Sequence, residues 1–457
     1  MGDISPTRWS GVMPDRKRIH TGCRLLLIIE LALFIFMIAG THGLIVPLDK
    51  PTTTDFVSFY AAGSLAASAT PELAYNADAH RAAEEQTTAA GISYNFFYYP
   101  PTFLLLCAAL AHLPYLVAFL LFETATLCLY LFVACRILGE RGWAVIVPLL
   151  AFAPVLWTLG LGQNSLLTAA LFGAGTLLVD RRPVTAGILF GALCYKPQFA
   201  LLLPVALAAG RRWHALWAVL ASAVVLSLLS VAVFGWQTWD DFIIAAAGSS
   251  AVYITGRVPF SGYINPLGAV RELGGAPNIA YAVQVVATLT GALLVALVWR
   301  RDFPLPLRAA TLSSAALVAA PLVLFYDLTL GAVATLWLIR ADGEYRLAEW
   351  QKVTLAVLFL LSLTPRILAE ALHFPVGSCI ALALLALVAA QGLRSMASVR
   401  TRAMAEPAGD SRREILGPSY SAIGDSGVAT RNVFFVDRRS SLLSSVASPD
   451  CRSRRLG

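Results

Sequence analysis

Residues 183 to 209 read PVTAGILFGALCYKPQFALLLPVALAA, with Arg181 and Arg182 just before and Arg211 and Arg212 just after. One formal charge, Lys196, stands in this run, inside Tyr195-Lys196-Pro197-Gln198. An ammonium in such a segment costs about 2.5–3.5 kcal/mol even on lenient insertion scales, so it is expected to face protein or water. The apolar pieces on either side, 183–195 and 199–209, are each too short for a hydrocarbon core that takes about 20 helical residues. The stretch therefore predicts a broken hairpin whose elbow lies below the membrane surface. Pro197 bars its preceding lysine from ordinary helix and suits the first position of the next one. Unpaired backbone amides beside a positive side chain then form a cradle for an anion such as a phosphate.

The rest of the chain agrees with a membrane reading. Of 457 residues, 58% are hydrophobic and 13% charged, and the mean hydropathy is +0.71; these values describe an all-α polytopic membrane protein. The net charge of +7 comes largely from arginines at segment ends, which is a topology signal and argues against a nucleic-acid partner. Seven cysteines show no paired spacing, so neither a disulfide framework nor a zinc site is expected. Residues 24–46 are too long for a cleaved signal peptide and read as an uncleaved helix.

Apolar runs fall at 24–46, 115–137, 143–159, 165–179, the broken pair, 213–234, 277–299, 308–325, 327–340, 351–367 and 372–393, roughly 12 crossings. Arginines recur at alternate ends: Arg136 and Arg141, Arg181 and Arg182, Arg211 and Arg212, Arg300 and Arg301, then Arg340, Arg346 and Arg394. They share one side, the cytoplasm, if residues 98–113 do not cross; that stretch is read as a helix lying at the outer surface or dipping into it. The expected organisation is a cytoplasmic N-terminus over 1–23, a transmembrane domain over 24–395 with outer loops near 47–114 and 235–276, and a disordered cytoplasmic tail over 396–457.

With that topology the polar clusters converge on the outer face. Asp55 opens the first loop, Gln163 and Asn164 follow Gly162, Lys196 and Gln198 sit at the elbow, Tyr263 and Asn265 lie in the second large loop, and Tyr326 with Asp327 occupies a later turn. Each has a plainer reading alone, as a helix cap or a solvated loop acid. Together they read as a site, because polar groups at membrane depth are costly unless used.

The order Asp55, then Tyr99-Pro100-Pro101, Gly162-Gln163-Asn164, Tyr195-Lys196-Pro197-Gln198 and Tyr326-Asp327 resembles glycosyltransferase family 87, over roughly residues 20–395. The resemblance implies a GT-C membrane fold, a polyprenyl-phosphate sugar donor (mannose in the best-known members), an outward-facing site and an aspartate of the first outer loop as base, the place of Asp55. It also implies a multi-pass protein of the bacterial inner (plasma) membrane, with a glycolipid or cell-envelope glycan as acceptor. Where some members carry a histidine after the proline preceding the Tyr-Asp pair, this chain has Pro321-Leu322.

Chemistry supports the same assignment. An outward-facing transferase has no nucleotide-sugar pool, so its donor must be anchored in the bilayer. The acceptor hydroxyl loses a proton as it attacks the anomeric carbon, and a phosphate departs with its charge, so one carboxylate and one cation are needed. Asp55 is the expected general base, Lys196 the partner of the leaving phosphate, and Arg257 a second cation. Tyr99, Gln163, Asn164, Gln198, Tyr263, Asn265, Tyr326 and Asp327 are the expected substrate contacts, and a single displacement predicts inversion. No Asp-x-Asp motif occurs in the outer loops, so neither metal nor cofactor is expected. The competing class is a transporter or lipid flippase, suggested by Glu30 and Glu123 within apolar helices. Such proteins show related halves with matching interruptions, and only one broken hairpin is evident here.

Overall fold

The computed structural model describes residues 16–39, 55–256, 258–342 and 347–405. Residues 1–401 form one compact unit, and 402–457 separate as a second, of which the end of the last helix is described. The helices are α1 (Arg16–Ala39), α2 (Phe56–Ala67), α3 (Ala77–Thr87), α4 (Pro101–Leu110), α5 (Tyr115–Leu138), α6 (Trp143–Leu150), α7 (Ala153–Leu161), α8 (Ser165–Leu178), α9 (Pro183–Gly191) and α10 (Pro197–Ala200). There follow α11 (Leu203–Ala209), α12 (Trp213–Phe234), α13 (Gln237–Ile254), α14 (Pro266–Glu272), α15 (Pro277–Arg300), α16 (Leu305–Ala319), α17 (Leu328–Asp342), α18 (Glu349–Leu361), α19 (Pro365–Leu372) and α20 (Val376–Ala405). Among the described residues no strand occurs; one antiparallel bridge joins Tyr263 to Leu324.

Among the described residues four helices are long and apolar enough to cross a bilayer: α5, α12, α15 and the Val376–Arg394 part of α20. The bent pairs α6–α7 and α18–α19, turning by 64° and 82°, bring the number to six if each is one span. Other apolar segments, including Ser165–Leu178, Pro183–Tyr195, Pro197–Ala209 and Leu305–Ala319, are 10–17 residues long. The expected break at Lys196-Pro197 is present, with Lys196 at φ −128° and ψ 68°. Pro197 cannot donate to the carbonyl of Leu193, four residues back, and its ring clashes there.

The same rule corrects two spans read as continuous. In 143–159 the helix stops at Leu150, the carbonyl that Pro154 cannot serve, and restarts at Ala153. In 351–367 it stops at Leu361, four residues before Pro365, and turns through Thr364 at φ −142°. Interruptions are thus more numerous than the single one read from sequence. The run 308–325 also divides: α16 ends at Ala319 and the chain continues extended through Ala320 into the turn Phe325–Asp327. At the termini, α1 begins at Arg16, ahead of the expected 24, and α20 continues to Ala405, beyond the expected 395.

Residues 98–113 hold a helix too short to cross a bilayer alone. Their helix, α4, has 10 residues and buries Phe103, Leu104 and Cys107, so it is packed into protein more than laid on a surface. The contact is close: a Cβ on Gly63 of α2 would stand 2.1 Å from the carbonyl oxygen of Cys107. Only glycine lets α2 and α4 approach this far.

Arg136, Arg212, Arg308 and Arg340 lie at one end. Asp180 accepts from Arg212 at 2.9 Å and pairs with buried Arg308, Arg212 reaches Asp302 at 3.2 Å, and Arg340 donates to the Arg136 carbonyl at 3.2 Å. Helices α8 and α17 run side by side from the opposite end, joined by Thr329 to Ser165 and by Trp337 to Thr176. Asp55, Gln163, Lys196 and Asp327 lie at that opposite end.

Candidate active site

A cavity of about 850 Å³ opens there, lined among others by Asp55, Tyr99, Gln163, Lys196, Gln198, Tyr326 and Asp327. Segments far apart in sequence are therefore brought together as expected. Asp55 stands at the N-terminus of α2 but makes no cap bond with its side chain. Instead its Oδ2 accepts from Gln163 Nε2 at 2.7 Å. Gly162 makes this contact possible: it closes α7 in the left-handed region at φ +71°, and a Cβ on it would meet Phe56 Cβ at 2.5 Å. Burial pushes the Asp55 carboxyl above the ordinary aspartate value, while the Gln163 bond and the charges of Arg366 and Lys196 pull it back down. A carboxylate so raised is a better proton acceptor.

Lys196 is 5% exposed and Asp327 4%, and the two pair at 3.1 Å. Asp327 also accepts from Ser165 Oγ at 2.6 Å and from the Leu324 backbone at 3.2 Å. The Lys196 ammonium sits over the rings of Phe199 and Tyr326, at 5.6 and 5.8 Å. Lys196, read as the partner of the leaving phosphate, and Asp327, read as a substrate contact, are thus one buried ion pair, held from α8 and from the turn before α17.

Tyr263, Asn265 and Asn164 do not line the cavity. Asn265 spends its side chain on Gly268 N at 2.9 Å and the Ala320 carbonyl at 3.0 Å, while Ile264 N donates to Val323 O at 3.2 Å. Together with the Tyr263–Leu324 bridge, these bonds hold the Pro321–Asp327 turn from behind. Asn164 precedes α8 fully buried, and its side-chain atoms have no hydrogen-bond partner among the described residues. Arg257 lies outside the described residues.

An aromatic wall completes one side. Tyr99 packs on Phe59 and Phe103 at centroid distances of 5.2 and 4.8 Å, and its carbonyl accepts from Tyr75 at 2.9 Å. Phe103 stacks on Tyr195 at 5.1 Å, whose hydroxyl bonds Thr168 at 2.7 Å. Behind this wall His80 bonds the Ser58 carbonyl at 3.0 Å and Glu84 accepts from Asn95 N at 3.1 Å, both side chains fully buried. Burial pushes His80 down to about 4 and Glu84 up to about 8.

Sequence reasoning missed Trp157, Thr364, Arg366 and Glu370, all of which line the cavity. Arg366 follows the break at Thr364-Pro365, and that X-Pro signal in an apolar run was open to reading, as it was at Lys196-Pro197. Among the described residues no group of three or more His, Cys, Asp or Glu is placed to hold a metal ion.

The site thus offers one carboxylate poised to take a proton, cations beside it, and aromatic rings along one wall. No curated protein and no solved structure matches the chain. The model of glycosyltransferase family 87 matches residues 97–325, just over half of the chain, covering Tyr99, Phe103 and Tyr195 of the aromatic wall, Gln163, the Lys196 elbow and residues 263–265. Asp55, Tyr326, Asp327 and Arg366 lie outside the matched range. On that match the chain belongs to glycosyltransferase family 87, a family of membrane glycosyltransferases.

Proposed function

We propose that this protein moves a hexose, mannose foremost, from a polyprenyl-phosphate donor to a hydroxyl of a glycolipid or cell-envelope glycan on the outer side of the bacterial inner membrane. The observation that carries this reading is Asp55 at the cavity, fixed by Gln163 at 2.7 Å and facing the charges of Lys196 and Arg366. In the reaction the acceptor oxygen bonds to the anomeric carbon as the bond from that carbon to the phosphate oxygen breaks. Asp55 takes the acceptor proton, and the electron pair leaves with the phosphate, whose charge falls to a cation other than Lys196, which Asp327 already neutralises; Arg257 is one such cation. One displacement gives inversion. Tyr99, Gln198 and Tyr326 contact the substrates across the cavity.

The same reading places the chain in a GT-C fold with twelve passes, of which α6–α7, α18–α19 and the pair broken at Lys196 are bent or interrupted. The arginine end, Asp180 to Arg340, is then cytoplasmic together with both termini, and the cavity faces out. A donor panel tests the proposal: membranes holding the protein are supplied with mannosyl, glucosyl and arabinosyl polyprenyl phosphates, and with nucleotide sugars as controls. Transfer from a lipid donor with inverted anomeric configuration is the expected result. Transfer from a nucleotide sugar alone, or retention of configuration, would refute it.

A further inference from the structure

The cavity holds two cationic side chains among the described residues, and they differ in what already claims their charge. Lys196 is buried and closed on Asp327 at 3.1 Å, so the pair carries no net charge toward a ligand. Arg366 opens α19 after the Pro365 break and lines the same cavity. Its side chain is 46% exposed, and its partner Glu370 is 50% exposed. The Arg366–Glu370 bond, 2.9 Å, uses Nε, so the two terminal nitrogens of the guanidinium fork are not spent on it. An exposed pair of this type, four residues apart on a helix, holds only weakly. A phosphate, which takes guanidinium bidentately, outcompetes such a carboxylate. Glu370 has a second hold ready, since it also accepts from Ser261 Oγ at 3.0 Å.

We infer that Arg366 is the phosphate-binding cation of the donor subsite, held in the empty enzyme by Glu370, which the arriving phosphate displaces toward Ser261. The inference rests on the lipid-phosphate donor proposed above and assigns the charge that Lys196, neutralised by Asp327, does not supply. It also gives Arg366 a second effect. Its positive charge acts on Asp55, so phosphate binding at Arg366 offsets that charge and makes Asp55 more basic once the donor is seated. The other charged groups acting on this carboxylate are Lys196 and, as a neighbouring acid, Glu84.

The test uses farnesyl phosphate as a competitive probe against the full-length protein in detergent, with Arg366→Gln and Glu370→Gln compared with wild type. Arg366→Gln should weaken probe binding by about 10- to 100-fold, the value of a hydrogen-bonded charge, and raise the donor KM in step. Glu370→Gln should tighten probe binding, because the competing carboxylate is gone. The acid limb of the activity–pH profile should move to higher pH in Arg366→Gln, a shift that loss of packing alone would not give. Wild-type transfer from the lipid donor together with unaltered probe binding in both variants would overturn the Arg366 assignment and leave the proposed reaction standing. No transfer and no probe binding by the wild type would overturn both.

Discussion

Replacing Lys196 by methionine should cost the fold about 3–5 kcal/mol, the range for breaking one side of a buried ion pair. The geometry sets the size. At 3.1 Å and an effective dielectric constant of about 20, the gross attraction is about 5 kcal/mol, and neither side chain is more than 6% exposed. Asp327 would keep Ser165 and the Leu324 backbone as donors, which places Lys196→Met near the lower end, about 3 kcal/mol. Asp327→Leu should cost at least as much, because it strands the ammonium among the rings of Phe199 and Tyr326. In the double variant no charge is left unpaired, and its loss should fall short of the sum of the singles by about 2–3 kcal/mol. Unfolding free energies in mixed micelles, from detergent-denaturant titration of all four proteins, give the cycle directly. If the two single losses add to within about 0.5 kcal/mol, the pair is not coupled and the account of Lys196 as a neutralised, structural cation is wrong.

Other outcomes follow from the same geometry. Asp55 has a raised folded value, so the folded state holds its proton more tightly than the unfolded chain, and ionisation weakens the fold as pH rises from about 3.9 toward that value. Asp55→Asn should therefore melt at or above the wild-type temperature at pH 7, and activity in the wild type should fall on the acid side at a pH above the ordinary aspartate range. Glu84, raised to about 8, follows the same sign: stability is lost as pH climbs from about 4.3 to about 8. Glu84→Gln, whose amide can still accept from Asn95 N and donate to His80 Nδ1, should gain up to roughly 3 kcal/mol at pH 7 and nothing near pH 4, measured by thermal melts across pH. Gly162→Ala forces a Cβ to within 2.5 Å of Phe56 Cβ at φ +71°; a destabilisation of about 1–3 kcal/mol is expected, with a fall in activity as Gln163 shifts from Asp55.

Local rules made part of this site legible in the sequence. The break at Lys196 could be read because proline acts on the residues beside it, and a lone ammonium in an apolar run is costly whatever surrounds it. Asp55 and Gln163 were found by polarity at the same end of successive segments, and Tyr99 by the family resemblance. What could not be read is pairing across the fold: Asp327 lies 131 residues from Lys196, and nothing in either neighbourhood says that one cancels the other. Tyr263 and Asn265 resemble site residues in composition, yet their side of the loop faces Ala320 and Leu324, a choice made by tertiary packing. Arg366 was hidden by reading 351–367 as one helix, although Thr364-Pro365 carries the same signal as Lys196-Pro197. The number of crossings was also blurred by proline, since each bend divides an apolar run into helices shorter than a bilayer requires.

The role proposed for Asp55 is removal of the acceptor proton in sugar transfer from a lipid phosphate. Its most direct test is the initial rate of radiolabelled mannose transfer from polyprenyl-phosphate mannose to cell-envelope acceptor, in membranes holding equal amounts of folded wild type or Asp55→Asn. Loss of a general base predicts a rate lower by about 10²–10⁴-fold in the variant, with donor binding retained. Transfer at the wild-type rate by Asp55→Asn would contradict the claim.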